Sequence, residues 1–389
     1  MNTTNKPLPV VFDTRVVTGS GGGPDKTILN SPRFLEPLGY RMICGYLYPP
    51  GDHGYAEIER KAAKYNAPLV SIPDRGPTDW RVFTQLLAVC KKEKVAIWHG
   101  HDYKTNALGL LLKRFWPMRL VTTVHGWVHH TSRTPIYYGI DRFCLPLYEK
   151  VFCVSPDLHA QCVKARVRPS NCILLENGID TVEYTRRQPI ATAKAALGIP
   201  ADALHIGAAG RLEHEKAFDV LIRSVHHLVN SSGLNVRLTI IGEGGDRARL
   251  EALAAELGVA DRVAIPGWQS DVRLYFESMD VFALSSLREG LPNVLLEAMA
   301  LDVPCVATRI AGIPRLIEHE VNGLLVEPAD QVGMTTALYR LLSQRNLRDL
   351  YGRAGRQTIE TRYSFAKRIA VLAREYDLLL GERSASPRG

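Results

Sequence analysis

The chain has 389 residues, 46% of them hydrophobic and 23% charged, with 31 Gly and 23 Pro. At roughly 100 to 200 residues per domain this is material for two cores, which excludes a single small binding module and a collagenous, mucin-like or disordered chain. The formal net charge of +8 is uneven: residues 1–190 hold 25 Lys and Arg against 16 Asp and Glu, residues 191–389 hold 23 against 24. A basic half is either an ordinary solvated surface or an affinity for nucleic acid, anionic lipid or a phosphorylated substrate, and charge by itself does not choose.

The start, MNTTNKPLPVVF, lacks the apolar core of a signal peptide, and no run reaches the roughly 18 apolar residues of a membrane span, so a cytoplasmic protein is expected. The seven cysteines contain no CxxC pair and are odd in number; they read as reduced, mostly buried thiols.

In chain order, short apolar runs at Pro9–Phe12, Met42–Tyr46, Val95–Trp98, Leu120–Val124, Val151–Val154 and Ile173–Leu175 predict strands. Between them, helical spacing covers Lys26–Leu38, Asp79–Cys90 and Asn106–Arg114. After Tyr184 the rhythm lapses, then resumes at His205–Ala209, Arg237–Ile241, Val263–Ile265, Val281–Leu284 and Cys305–Ala307, with helical patterns at Phe218–Leu228 and Arg247–Leu257. The alternation predicts an α/β protein of two Rossmann-like parallel-sheet halves joined near residues 185–203. Ligands of such sheets bind at the carboxyl ends of the strands, so residues just after each strand matter most.

The first strand is followed by Gly21, Gly22 and Gly23 before a helix, where backbone N–H groups approach an anion closely; a plain flexible turn is the alternative. Neither the P-loop nor the dinucleotide fingerprint fits there. In the second half GRLEHEK, residues 210–216, follows a strand and places Arg211 and Lys216 where two cations can meet a pyrophosphate, or remain solvated charges. Next comes Arg288-Glu289-Gly290-Leu291-Pro292-Asn293, with Glu297 further on. Pro292 suits a first helical turn, so Glu289 sits before the helix and Glu297 inside it, about 7 Å along at roughly 1.5 Å per residue. A sugar hydroxyl can bond Glu289, a ribose Glu297, and phosphates the amides between them. His99, His101 and His125 directly follow strands, whereas His129 and His130 carry no comparable signal. A metal site from His99, His101, Asp102 and His125 is one reading, a ligand-facing His125 a second and a structural histidine a third.

Together these residues resemble the retaining family 4 glycosyltransferases of the GT-B fold. The motifs that carry the resemblance are HGHD at 99–102, VHGW at 124–127, VSPD at 154–157, ENGID at 176–180, GRLEHEK, IGEGGDR at 241–247, PGW at 266–268 and the E-x7-E pair Glu289 and Glu297. The resemblance implies an N-terminal acceptor domain, residues 1–188 with a crossover helix at 363–381, facing across a cleft a nucleotide-sugar domain of residues 189–362. It implies that Arg211 and Lys216 hold the diphosphate, Glu297 the ribose, Glu289 and the backbone of Gly290, Leu291, Pro292 and Asn293 the sugar, Gly22 and Gly23 the phosphates from the other side, and Gly242 the border of the base. His125 would face the donor sugar, with His99, His101 and Asp102 on the acceptor side.

The implied reaction is retaining transfer of a hexose-type sugar from a UDP- or GDP-linked donor, without a metal or other cofactor. The implied acceptor is a lipid-linked or cell-surface saccharide, with the basic half against an anionic membrane face and no nucleic acid partner. A soluble acceptor, epimerase chemistry, an NAD-linked oxidoreductase and a nucleic-acid-binding protein are the competing readings. Asp302, Ala311 and Arg315 depart from the family pattern, the first two where glycine is common.

Overall fold

The computed structural model describes residues 7–77, 79–126, 134–269 and 271–381. Trp127 of the VHGW motif, His129, His130 and the SASPRG tail lie outside the described residues. The chain forms two compact units, residues 1–177 with 366–389, and residues 178–365. The division falls ahead of the segment 185–203 read as the linker.

In the N-terminal unit β1 (Val10–Val16), α1 (Gly23–Leu35), β2 (Arg41–Tyr48), α2 (Tyr55–Lys64), β3 (Leu69–Pro73), α3 (Trp80–Glu93), β4 (Val95–Gly100), α4 (Tyr103–Leu112), β5 (Arg119–Val124), α5 (Thr134–Cys144), β6 (Lys150–Cys153), α6 (Pro156–Lys164) and β7 (Cys172–Leu174) alternate. The strands pair in parallel in the order β3-β2-β1-β4-β5-β6-β7. Burial follows the two-residue strand period: Ile43 and Leu47 of β2 join one core with Phe12, Trp98 and Leu120, while Cys44 and Tyr46 join another with Ile28, Leu29 and Ile58. Strand β3 was missed in the periodicity because its five residues are half exposed and end in Pro73, the mark of an edge strand.

The C-terminal unit repeats the scheme with α7 (Ile190–Ala196), β8 (Leu204–Ala209), α8 (Phe218–Ser232), β9 (Val236–Ile241), α9 (Arg247–Glu256), β10 (Val263–Gly267), α10 (Arg273–Ser278), β11 (Val281–Leu284), α11 (Asn293–Ala300), β12 (Cys305–Thr308), α12 (Ile313–Leu316), β13 (Leu324–Val326), α13 (Gln331–Ser343) and α14 (Arg345–Arg362). Its sheet order is β10-β9-β8-β11-β12-β13. Alternate residues again part to two cores, Val281 and Ala283 to one, Phe282 and Leu284 to the other. A fully buried Phe such as Phe282 contributes roughly 1.5 to 3 kcal/mol. The unpredicted β13 has three residues, too few to show a period.

In each sheet the chain order reverses beside the first strand: β1 lies between β2 and β4, and β8 lies between β9 and β11. Loops leaving β1 and β4 therefore emerge side by side, as do loops leaving β8 and β11, and such a switch point is where open α/β sheets bind ligands.

The last helix, α15 (Phe365–Leu380), returns to the N-terminal unit. Arg368 donates to the carbonyls of Leu175 and Glu176 at 2.6 and 2.7 Å. Tyr40 donates to Asp377 at 2.6 Å, and Lys150 pairs with Glu375 at 2.7 Å. All seven cysteines are buried free thiols.

Asp302 and Ala311, the two residues at glycine-favoring positions, both keep a left-handed backbone, φ 58° and 43°. An L side chain there costs roughly 1 to 2 kcal/mol. Ala311→Gly is expected to raise stability by about 1 kcal/mol after allowing for the looser unfolded chain, measured as the shift in urea midpoint at unchanged slope. A lower midpoint would show that the strain is compensated.

Candidate active site

In the C-terminal unit the loop after β8 and the loop after β11 meet through a half-buried ion pair. Lys216 Nζ donates to Glu289 Oε1 at 2.5 Å, the two side chains 14% and 10% exposed. Ser286 Oγ donates to the same oxygen at 2.7 Å. The loops are also stitched by backbone: Leu287 N donates to Glu215 O at 2.8 Å, and Ser285 Oγ to Lys216 O at 2.8 Å. Arg211 does not share this contact; 67% exposed, it pairs with Glu215 at 2.5 Å. The two cations thus stand on one loop with different acidic partners, and a pyrophosphate would have to draw both away.

Pro292 is the N-cap of α11 rather than part of its first turn, so the helix begins at Asn293 and its orphan amides follow Glu289 directly. Gly290 lies on this approach, its carbonyl accepting from Gly312 N at 3.2 Å. Glu297 is 1% exposed and accepts from the Tyr184 hydroxyl at 3.3 Å. Gly242 follows β9, its N–H on Gly267 O at 3.0 Å, and Trp268, 56% exposed, stands just beyond. Ser286 and Tyr184 are site neighbors that the motifs did not single out.

In the N-terminal unit the switch point gathers a different set. The Gly22 N–H donates to Asp25 Oδ2 at 2.5 Å, and Arg15 reaches Asp25 at 3.4 Å. The amide of Gly22 is therefore already engaged by a buried carboxylate, while Gly23 opens α1. Asp102 caps α4, accepting from Lys104 N and Thr105 N at 3.0 Å each, and its other oxygen accepts from Val16 N at 2.8 Å. Its carboxylate is held by backbone, which gives it a structural task, and the residue also lines the cavity of His101 and His125. His99, expected on the acceptor side, is instead enclosed by protein: 2% exposed, it bonds the Tyr376 hydroxyl at 2.8 Å and Thr123 at 2.7 Å, and burial lowers its pKa to about 3.

His101 and His125 face a small cavity, although the His101 side chain is only 4% exposed. They line a space of about 90 Å³ with Asp102, Tyr103, Asn106, Tyr138 and Asp141. His101 Nδ1 lies 2.7 Å from His125 Nε2, and His101 Nε2 lies 2.7 Å from Asp13 Oδ1. Burial, then Arg15 and Arg368 for His101, and burial, then His101 ahead of Arg15 and Arg368 for His125, keeps both imidazoles well below the usual histidine range and therefore neutral. Asp13, Arg15 and Arg368 escaped the motif reading, although a D-x-R pair inside the apolar strand VVFDTRV was a visible signal.

Among the described residues, two groups bring three donor atoms within 4.8 Å: Cys153, Cys162 and Cys172, and Asp13, His99 and His101. Both ring nitrogens of His99 already have protein partners. No helix among the described residues is long and apolar enough to cross a membrane.

Two family models match the chain, Glycosyltransferase Family 4 over residues 21–183 and Glycosyl transferases group 1 over residues 203–344. A lipopolysaccharide core biosynthesis glycosyltransferase, LpsD, of Rhizobium meliloti is 33% identical over 89% of this chain and 92% of its own length. A UDP-Gal:alpha-D-GlcNAc-diphosphoundecaprenol alpha-1,3-galactosyltransferase of Escherichia coli is 25% identical over 75% and 77% of the two chains. Among solved structures, Anabaena Alr3699/HepE in complex with UDP superposes with a TM-score of 0.80 at 18% identity, covering 95% of this chain and all of that one, a likeness of fold.

Proposed function

The chain belongs to the family 4-type glycosyltransferases, and on that premise we propose that it moves a hexose-type sugar, with retention and without a metal, from a UDP-linked donor to a lipid-linked or cell-surface saccharide. The observation that carries the donor half is the half-buried Lys216–Glu289 contact at the switch point of the C-terminal sheet. Breaking the anomeric C–O bond builds positive charge on the sugar and negative charge on the leaving diphosphate. Lys216 and Arg211, once drawn from Glu289 and Glu215, and the positive dipole end at the N-terminus of α11 would stabilise that negative charge as it grows. Glu289 is then released to a sugar hydroxyl, and Glu297 serves the ribose. The acceptor half is supported by the lipopolysaccharide-core and diphosphoundecaprenol-linked relatives and by the basicity of residues 1–190.

The deciding experiment is a thermal-shift panel of UDP, GDP, ADP and CDP with their common sugar conjugates. A nucleotide at about 100 times its Kd stabilises the native state by roughly 2.7 kcal/mol, and UDP and one UDP-sugar are expected to stand out. Transfer from that sugar to a lipid-diphosphate saccharide should continue in EDTA and yield the anomer of the donor. Selective stabilisation by GDP would replace the donor assignment; loss of transfer in EDTA, restored by a divalent ion, would overturn the metal-independent route.

A further inference from the structure

We propose that Asp13, His101 and His125 form a proton relay in which the carboxyl of Asp13 decides which ring nitrogen of His125 carries the proton, and hence whether His125 offers a sugar hydroxyl an acceptor or a donor. The inference rests on the reading of His125 as a group that meets the transferred or accepting sugar.

The geometry leaves few alternatives. Two contacts of 2.7 Å run in series, Asp13 Oδ1 to His101 Nε2 and His101 Nδ1 to His125 Nε2. Bare lone pairs at that separation repel, so each contact is short enough to hold one proton once its angle permits. The first contact is bent outside hydrogen-bond geometry, so Asp13 Oδ1 and His101 Nε2 are both buried without a hydrogen-bond partner, and the relay requires the His101 ring to turn toward the carboxylate. Each neutral imidazole carries one N–H, so the two contacts are linked. With Asp13 ionised, His101 donates from Nε2 to the carboxylate and accepts at Nδ1 from His125 Nε2–H, leaving His125 Nδ1 bare. With Asp13 protonated, the carboxyl donates to His101 Nε2, His101 donates from Nδ1 to His125 Nε2, and His125 Nδ1 bears the hydrogen. Passing from the first state to the second takes up one proton at His125 Nδ1, the ring nitrogen not engaged by His101, and shifts one proton across each contact. No heavy-atom bond changes, and the net gain is the single proton on Asp13.

The surroundings favor these two states over an imidazolium. Burial and the cations Arg15 on β1 and Arg368 on α15 disfavor a charged ring at His101 and His125. The added proton therefore settles on the carboxylate. Burial, with some help from the negative Asp25 on α1, raises Asp13 to about 6, against the opposing pull of His99 on β4, Arg368 and Arg15. The Cys44 thiol on β2, Tyr46 on the same strand and Tyr376 on α15 also face this carboxyl, and burial pushes all three upward, so they stay neutral through the transition. His99, lowered to about 3, stays neutral too. The relay thus switches in the range where a cytoplasmic pH change can reach it, with the acceptor form of His125 above about 6 and the donor form below.

The test is histidine ¹⁵N NMR of the full chain without donor or acceptor. His125 Nδ1 should pass completely from a pyridine-type to a pyrrole-type shift as pH falls through about 6, while Nε2 of the same ring follows the hydrogen bond to His101. Asp13→Asn, which keeps the shape and cannot titrate, should abolish that transition, and the transfer rate of the wild type should show a step of about tenfold at the same midpoint that the variant lacks. If Asp13→Asn does not fold, His101→Gln should equally uncouple His125 from Asp13. An Nδ1 shift that is constant between about pH 8 and pH 5 in the wild type, or a transition that survives in the variants, overturns the relay. Unchanged transfer in His125→Ala would instead overturn the placement of His125 beside the sugar, and the NMR result would be unaffected by it.

Discussion

Lys216→Ala is expected to weaken UDP binding at least about tenfold and to slow transfer by about 100-fold or more, because two losses act in the same direction. The first is a charge-assisted bond to the diphosphate, typically about 1.5 to 3 kcal/mol. The second is the release of Glu289. Without Lys216 its half-buried carboxylate keeps Ser286 as the side-chain partner seen in the structure and presents an unneutralised charge to an anionic ligand. Adding Glu289→Gln to Lys216→Ala should therefore restore part of the UDP affinity while leaving transfer low, since the sugar contact is then lost as well. Calorimetric UDP binding in the single and double variants, beside turnover, checks both steps. Wild-type affinity in Lys216→Ala would remove the diphosphate assignment, and additive losses in the pair would show that Lys216 and Glu289 act on separate ligand groups.

Gly242→Ala is expected to be the most damaging single methyl in the C-terminal unit. Gly242 has φ 150°, and a Cβ there would stand 1.8 Å from the carbonyl oxygen of Gly210. Nothing flexible can move aside: Gly210 N donates to Ile241 O at 2.9 Å and Gly242 N to Gly267 O at 3.0 Å, so both loops are fixed to the sheet. Opening them displaces Arg211 and Lys216, which leave the sheet on the segment that starts at Gly210. A loss of about 3 kcal/mol or more in unfolding free energy is expected, with loss of UDP binding. Gly245→Ala three residues on is the control, since its added Cβ meets nothing within 4 Å, and it should change stability by no more than about 0.5 kcal/mol. Equal effects of the two substitutions would refute the close-approach account.

Much of the site could be read before the fold was known because its residues keep the spacing that one loop or one helix imposes. Glu289 and Glu297 bracket the start of α11, and Arg211 and Lys216 share the loop after β8. The misreadings have a common cause. His99 and His101 differ by two residues and by little in sequence context, yet one is sealed between Tyr376 and Thr123 and the other reaches the cavity. Asp102 has a task that spacing does not show: its carboxylate caps α4 and accepts from Val16 N while the residue lines the cavity.

By itself the sequence determined the βα alternation, the two-sheet architecture and the loops that hold the candidate residues, because apolar periodicity and turn residues are local properties. The tertiary structure alone decided which of those loops are neighbors. It set β4 beside β1 and β11 beside β8, so that Lys216 meets Glu289 across 73 residues of chain and Asp13 meets His101 and, through it, His125. Strand order is a long-range choice, settled by right-handed crossovers and by which faces bury together, and proton placement in a buried pair depends on the charges that this order assembles around it.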